Sequence, residues 1–263
     1  IIFVTTGLIS QLENEAQLAL VLGHEIAHYV KKHTLENFKF ELKQKHPSIN
    51  DLSKYSKENE LEADKEGLKY YVDAGYSKDE VLSTFDVLLY SYLPFDEIKI
   101  PSTYWNTPQF YVPETMFPKE EFPIKAVEDV DDSESTHPNI KNRKLEMEKH
   151  FAEYSSWGSA LFVVGEAEFA KIREIARFES IRTDIIDGAL GNALYSIFLL
   201  EQKYPNSNYL KRMKMHCYYD MLLYREGNSI ASVVKSKKEL EGESSKLHFF
   251  IKKLTKEGLI TLV

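Results

Sequence analysis

The chain has 263 residues, of which 43% are apolar and 13% aromatic, and its formal net charge is −8. This composition is typical of a folded globular protein, and the length allows one or two domains. Apolar runs stay well short of the roughly 18 residues of a membrane-spanning helix. The single cysteine, Cys217, excludes an internal disulfide. Residues 1–136 hold 25 acidic residues against 13 lysines and no arginine, which argues against nucleic-acid binding and suits a divalent cation.

The first predicted helix spans residues 12–32, which contain no proline. Small and apolar residues recur along it at steps of three and four, the pattern of a helix with one face on a core. They are Leu12, Ala16, Ala19, Gly23, Ile26 and Val30. Ser10 is expected to cap this helix, with Glu13 completing a capping box.

The side of this helix nearly opposite the apolar stripe carries the motif His24-Glu25-Ile26-Ala27-His28. Residues four apart lie on one helical face, so His24 and His28 can offer two imidazole nitrogens to one zinc ion. Glu25 lies beside them, where a carboxylate can accept a proton from a water molecule. A chance motif, with a buried histidine pair beside a solvated glutamate, is the alternative. The helical context favours zinc.

A catalytic zinc takes three protein ligands, so a third is expected outside this helix. A second predicted helix carries an acidic stretch in which Glu60 and Asp64 are four residues apart and share one face. Glu60 is the preferred third ligand, and Asp64 is expected to accept the free N–H of a ligand histidine. His46, in a turn-like stretch, is the alternative ligand, and a solvated acidic face is the alternative interpretation of this helix. His33 is expected at the surface.

Residues 93–136 differ in character, because six prolines punctuate them and aromatic residues lie between the prolines. A segment of this length without helical periodicity is commonly functional or disordered. The segment leads directly into His137-Pro138, so a lid over an active site is one interpretation. A proline-stiffened connection between helices is the other.

Helical periodicity returns after residue 150, over residues 166–182, 190–204, 209–224 and 244–256. The stretch 193–210 is similar to the junction between two tetratricopeptide-like hairpins, although no 34-residue period is present. A degenerate helical-repeat domain for docking a partner or substrate is therefore expected over residues 151–263. A plain helical bundle is the alternative.

Three motifs in order resemble those of a known family. They are HEIAH at residues 24–28, Glu60 to Asp64, and His137-Pro138 followed by Arg143. The HtpX-like and CAAX-prenyl-protease-type zinc metallopeptidases, peptidase family M48, have this order of motifs. The flanking stretches 3–8, 14–19 and 74–76 are also similar. The resemblance extends over about residues 1–150 and is to a soluble, BepA-like member of the family.

The resemblance implies a mainly α (α+β) fold. A zincin-like metallopeptidase domain with a small N-terminal sheet remnant is expected over residues 1–150, followed by a tetratricopeptide-like arm over residues 151–263. The family usually has an edge strand before residue 3, and the chain begins at Ile1 without it. Either the sequence is a piece of a longer chain, or part of the cleft that pairs with an extended substrate is expected to be missing.

The resemblance also implies the site. One Zn²⁺ per chain is expected on His24, His28 and Glu60, with Asp64 behind these ligands. Glu25 is expected to be the catalytic base. His137 would donate to the oxyanion or occupy the zinc in a latent state, and Arg143 would position substrate or anchor its loop.

The expected function is therefore that of a zinc-dependent endopeptidase acting on peptides or misfolded proteins. The alternative is a zinc-retaining chaperone or assembly scaffold that acts through a protein partner on the helical arm. By resemblance, the location is the bacterial cell envelope, periplasmic or membrane-attached, and the cytoplasm is the alternative.

Overall fold

The computed structural model describes residues 1–44, 48–108 and 110–262, and it is mainly helical. It divides into two compact units, residues 1–92 with 126–173 and residues 93–125 with 174–263. The division therefore does not follow a single cut at residue 150, because the chain leaves the first unit at residue 93 and returns to it at 126. Within the described ranges, no helix is long and apolar enough to cross a membrane.

The described residues of the first unit form six complete α-helices, a short 3-10 turn at Phe151–Glu153 and the start of a further helix at Glu166. The helices are α1 (Thr6–Gln11), α2 (Glu15–Lys31), α3 (His33–Lys43), α4 (Ile49–Asp73), α5 (Asp79–Tyr90) and α6 (Ile140–His150). Extended pairing among the described residues is limited to isolated parallel bridges, Tyr76 with Ala160 and Ser77 with Gly158.

The N-terminal segment corrects two expectations. The predicted sheet remnant is wrong, because Thr5 accepts a hydrogen bond from the Leu8 amide at 3.1 Å and starts α1 there. Ser10 is buried within α1 and does not cap α2. The N-cap of α2 is Asn14, which has an extended backbone. Its side-chain oxygen accepts a hydrogen bond from the Gln17 amide at 3.0 Å, which satisfies a free N–H of the first helical turn. The helix predicted over residues 12–32 is therefore α2, which begins three residues later at Glu15, and α1 is a separate helix before it.

Helix α2 packs against α4 through Ala16, Leu20, Gly23 and Ala27, and glycines allow the close approach. A Cβ on Gly23 would lie 2.8 Å from the Gly67 carbonyl oxygen, and a Cβ on Gly67 would lie 2.7 Å from the backbone nitrogen of His24. The contact with α4 is centred on Gly23. The last two members of the apolar stripe predicted to face the core, Ile26 and Val30, are exposed.

Helix α4 begins nine residues earlier than the acidic stretch from Glu58 that predicted it. Ser48 caps the helix, since its hydroxyl accepts from the Asp51 amide at 3.1 Å and Asp51 accepts from the Ser48 amide at 3.2 Å. This reciprocal capping box fixes the start of a 25-residue helix.

The apolar core of the first unit lies between these helices. Its buried members are Ala16, Leu20, Leu68, Tyr71, Tyr76, Val81, Phe85 and Met147.

Four helices predicted after residue 150 are confirmed, with small differences at their ends. They are α7 (Glu166–Ile186), α8 (Leu190–Glu201), α9 (Asn208–Glu226) and α10 (Ser244–Lys253). A further helix that was not predicted, α11 (Lys256–Leu262), follows them, and the second unit holds α8 to α11 with the later part of α7. The division between the units falls within α7. Helix α8 is buried along almost its whole length, as expected from its nearly continuous apolar sequence.

Residues 93–125 pack as part of the second unit. Ile100, Trp105 and Val112 are buried in its apolar core, and the Trp105 indole N–H donates to the Tyr218 hydroxyl at 3.0 Å. Buried aromatic anchors of this kind hold a segment in place. Described residues of this stretch are therefore anchored in the core of the second unit.

Candidate metal centre

Helices α2 and α4 bring three potential metal ligands together. One ligand atom from each of His24, His28 and Glu60 lies within 4.8 Å of the others. The two histidine Nε2 atoms are 2.9 Å apart. The two oxygens of Glu60 are each 3.3 Å from one of these nitrogens, Oε2 from His24 and Oε1 from His28.

The atoms that converge here are hydrogen-bond acceptors when the histidines are neutral. Asp64 Oδ1 lies 2.8 Å from His24 Nδ1, and an ionised carboxylate can only accept, so Nδ1 carries the proton and Nε2 is a lone pair. Glu60 Oε2 is buried and accepts no hydrogen bond within the described part of the chain. A cluster of buried acceptors requires a cation. Two histidines and one glutamate are a ligand set of catalytic zinc, so the residues fit that metal.

The pKa values at this site also favour a positive charge among the ligands. Burial alone would lower the pKa of His24, but the hydrogen bond with Asp64 and the nearby Glu60 carboxylate raise it to about 9. Burial would raise the pKa of Glu60, yet the close approach of His24 and His28 holds that pKa well below its usual range. Glu60 is therefore an ionised carboxylate facing a position that attracts cations.

Asp64 is held in turn by Arg143, from α6. The guanidinium donates from Nε to Asp64 Oδ2 at 2.8 Å and from an Nη to Oδ1 at 2.6 Å, and it lies over the ring of Phe85 at 5.0 Å. Both charged side chains are buried. A bidentate pair of this kind fixes orientation as well as charge. Arg143 thus orients the partner of His24.

Glu25 borders a cleft beside the three ligands. It is exposed and lies one position beyond His24 on α2. The cleft has a volume of about 270 Å³, and its walls are partly apolar. Its lining residues are Leu20, Val21, His24, Glu25, Glu60, Asp64, Thr84, Phe85, Leu88, His137 and Arg143. A carboxylate reaches a water-accessible space next to the ligand set.

His137 stands at the rim of this cleft. Its side chain is 59% exposed, and its Nε2 lies 3.5 Å from Glu60 Oε1. Its Nδ1 is 2.9 Å from the Thr136 hydroxyl. The imidazole therefore faces the ligand set without belonging to the group of three close ligand atoms.

A family model described as peptidase family M48 matches residues 1–49. The match supports that family, and with it a metallopeptidase. It covers the His24-to-His28 motif and ends before Glu60, Asp64, His137 and Arg143. No curated protein and no solved structure matches the chain.

His33, which was expected at the surface, is buried. Its Nδ1 lies 2.8 Å from Nδ1 of His28, and the two rings are edge-to-face. The error arose because α2 was extended through residue 32, whereas Lys32 adopts the left-handed conformation with φ 60° and ends the helix. Because left-handed lysine has no simple sequence signal, periodicity alone could not place His33. His46, the alternative ligand, lies outside the described residues.

Proposed function

We propose that the chain is a zinc-dependent endopeptidase that hydrolyses peptide bonds of protein substrates. The observation that carries the proposal is the convergence of His24, His28 and Glu60 as acceptors beside the exposed carboxylate of Glu25. A partly apolar cleft of this size accommodates a short stretch of polypeptide. The family match over residues 1–49 supports the same class of enzyme.

One zinc ion per chain would be held by His24, His28 and Glu60, and when bound it supplies polarisation of the scissile carbonyl and acidification of water. Glu25 accepts the proton of the attacking water on its carboxylate. It then delivers this proton to the nitrogen of the leaving amine, which departs neutral. A group that serves as base and then as acid must reach both atoms, and an exposed side chain at the cleft meets this requirement.

The remaining polar residues have supporting roles. Asp64 holds the His24 ring through its Nδ1–H, and Arg143 holds Asp64. His137 faces the cleft from its rim, so its imidazole N–H can donate to the oxyanion that forms when water adds to the carbonyl. The substrate need only present an accessible backbone, which peptides and misfolded proteins do.

Within the family, the order of the three motifs supports an HtpX-like, BepA-like assignment and a location in the bacterial cell envelope. The second unit, a helical domain with a packed apolar core, would provide a tetratricopeptide-like surface for a protein partner. These finer assignments rest on the resemblance of the motifs.

The test is turnover by the Glu25→Gln variant. Purified protein should bind one zinc per chain by elemental analysis and cleave an unfolded protein such as casein. Because Glu25 is a base and does not hold the metal, Glu25→Gln should keep its zinc and its helical content, while the cleavage rate falls by at least about 100-fold. Glu41→Gln, at an exposed position of α3, is the matched control and should cleave at the wild-type rate.

Two outcomes would contradict the assignment. Loss of zinc in Glu25→Gln would make Glu25 a ligand. A zinc-loaded wild-type protein that prevents aggregation of unfolded proteins without cleaving them would favour the scaffold alternative. The choice of Glu60 is tested separately, since Glu60→Ala should abolish zinc binding and His46→Ala should not.

A further inference from the structure

A second hydrogen-bonded chain, which the proposed mechanism does not use, leads away from the metal ligands. His28 Nδ1 lies 2.8 Å from His33 Nδ1. On the far side of His33, Nε2 lies 3.2 Å from Glu62 Oε2. The other oxygen of Glu62 accepts from the Lys31 ammonium at 2.8 Å. The His33 side chain is only 4% exposed, so its ring nitrogens have these partners in place of bulk water.

The positions of the protons along this chain follow from what each group can donate. An ionised carboxylate can only accept, so the neutral His33 ring carries its proton on Nε2 and presents a lone pair at Nδ1. Two facing nitrogens share one proton, so His28 must then donate from its own Nδ1. Its remaining nitrogen, Nε2, is a lone pair, and it is the atom that faces His24 and Glu60.

We propose that His33 and Glu62 are positioning residues that hold His28 in the Nδ1–H tautomer and thereby aim the Nε2 lone pair at the metal position. The proposal rests on the proposed function in that the metal is the one assigned to His24, His28 and Glu60. Each ligand histidine then has an acceptor of its own. His24 has the carboxylate of Asp64, and His28 has a carboxylate that acts through an imidazole.

The fold explains why an imidazole lies between His28 and this carboxylate. Glu62 is two residues from both Glu60 and Asp64 on α4, so it projects from a different side of that helix. Lys32, at φ 60°, ends α2 and turns the chain so that His33 packs edge-to-face on His28, with ring centroids 4.8 Å apart. The His33 ring therefore lies between His28 Nδ1 and the Glu62 carboxylate and connects them by hydrogen bonds.

The first test is zinc affinity, measured by competition with a chelator. His33→Leu removes the acceptor at similar volume and should weaken zinc binding by about 10- to 100-fold, the usual effect of losing an outer partner of a ligand histidine. His33→Asn places an amide oxygen near the position of Nδ1 and should restore most of the affinity. His248→Leu removes an equally buried imidazole in the second unit and should leave zinc affinity unchanged.

The second test reads the tautomer directly in metal-free protein. Long-range ¹H–¹⁵N NMR correlations distinguish a protonated Nδ1 from a protonated Nε2. His28 should be the Nδ1–H tautomer in the wild-type protein. In His33→Leu it should shift toward Nε2–H, because Glu60 then offers the better acceptor. A purely structural role of His33 would lower stability without moving this proton.

Variants of Glu62 keep the proposal testable if His33→Leu does not fold. Glu62 is 46% exposed, so Glu62→Leu should fold and weaken zinc binding by a smaller factor, about 3- to 10-fold. Glu62→Gln keeps an acceptor oxygen for His33 and should bind zinc like the wild type.

The outcomes separate the two proposals. A wild-type protein without zinc would overturn the proposed function, and the tautomer of metal-free His28 would still decide the role of His33. A wild-type His28 in the Nε2–H form would overturn the relay. So would an unchanged tautomer and zinc affinity in His33→Leu or, should that variant not fold, unchanged affinity in Glu62→Leu.

Discussion

Two aspartates, one in each unit, show how differently the units treat a carboxylate withdrawn from water. In the first unit, burial would raise the pKa of Asp64, but hydrogen bonds from Arg143 and His24 hold that pKa below its usual range. In the second unit, burial raises the pKa of Asp184 to about 7, and the charge of Asp187 adds to the rise. Burial shifts both pKa values in the same direction, although Asp64 is buried and Asp184 is partly exposed, and the hydrogen-bond partners decide which group keeps its charge.

Buried charged side chains are concentrated in the first unit. An ionised group inside a protein costs several kcal/mol unless it is paired and hydrogen-bonded. The first unit buries Glu60, Asp64 and Arg143 together, whereas the core of the second unit is almost entirely apolar. Strongly shifted carboxylates with specific partners in a cleft are typical of functional sites. The stability that Asp64 contributes is lost as pH falls below about 4, whereas that at Asp184 is lost as pH rises toward about 7.

The largest effect is expected at Asp64. Asp64→Asn leaves the Arg143 guanidinium buried without a counter-charge, which should lower the unfolding free energy of the first unit by about 3–5 kcal/mol. It should also weaken zinc binding, by up to about 10-fold, because His24 Nδ1–H then donates to a neutral amide oxygen in place of a carboxylate. Denaturant titration and chelator competition measure the two effects. The double variant Asp64→Leu with Arg143→Met should recover stability but not zinc affinity. A loss below about 1 kcal/mol in Asp64→Asn would contradict the comparison.

Asp184→Asn should raise the unfolding free energy, whereas Asp64→Asn should lower it. The folded state raises the pKa of Asp184 from 3.8 to about 7, so the wild-type protein loses stability as pH rises between these values. The substituted amide carries no charge at any pH, which should stabilise the second unit by about 2–4 kcal/mol at pH 7 and flatten its pH profile. Denaturant titrations at pH 4 and pH 7 test this. Equal pH slopes in both proteins would show that Asp184 does not titrate as described.

A smaller effect is expected where the two metal-bearing helices cross. Gly67→Ala would place a Cβ 2.7 Å from the backbone nitrogen of His24, so α2 and α4 must move apart. Overpacking of this kind should destabilise the first unit by about 1–3 kcal/mol and weaken zinc binding as Glu60 moves from His24 and His28. Gly7→Ala, whose Cβ would meet only a contact at 3.9 Å, is the matched control and should be neutral or slightly stabilising. Wild-type zinc affinity in Gly67→Ala would show that the close crossing of α2 and α4 is not needed to position Glu60 beside His24 and His28.

The smallest effect on stability is expected at His137, because its side chain is 59% exposed. His137→Ala should leave the unfolding free energy within about 0.5 kcal/mol of the wild type. If His137 donates to the oxyanion, kcat should fall by about 10- to 100-fold with zinc content unchanged. A rise in kcat would instead show that the imidazole blocks the metal in a latent resting form. Steady-state kinetics of the zinc-loaded protein separate these outcomes.

Much of the helical fold was predictable, because period and composition are local properties. Helices α7 to α10 follow the apolar spacing closely, and the histidine motif lies on the helix that its spacing requires. Their ends were less predictable. Asn14 and Ser48 both compete with other polar residues nearby as caps, and only the folded backbone selects one of them.

His24 and His28 share one helical face and Glu60 and Asp64 share another because a helix imposes those angles on any chain, so these pairs follow from the sequence alone. The meeting of the two faces depends on tertiary contacts, through a crossing that Gly23 and Gly67 permit. The contact of His33 with His28, through the turn at Lys32, and the packing of residues 93–125 into the second unit also depend on the tertiary structure. These features depend on contacts between residues distant in sequence or on one unusual φ angle, and neither leaves a periodic trace in the chain.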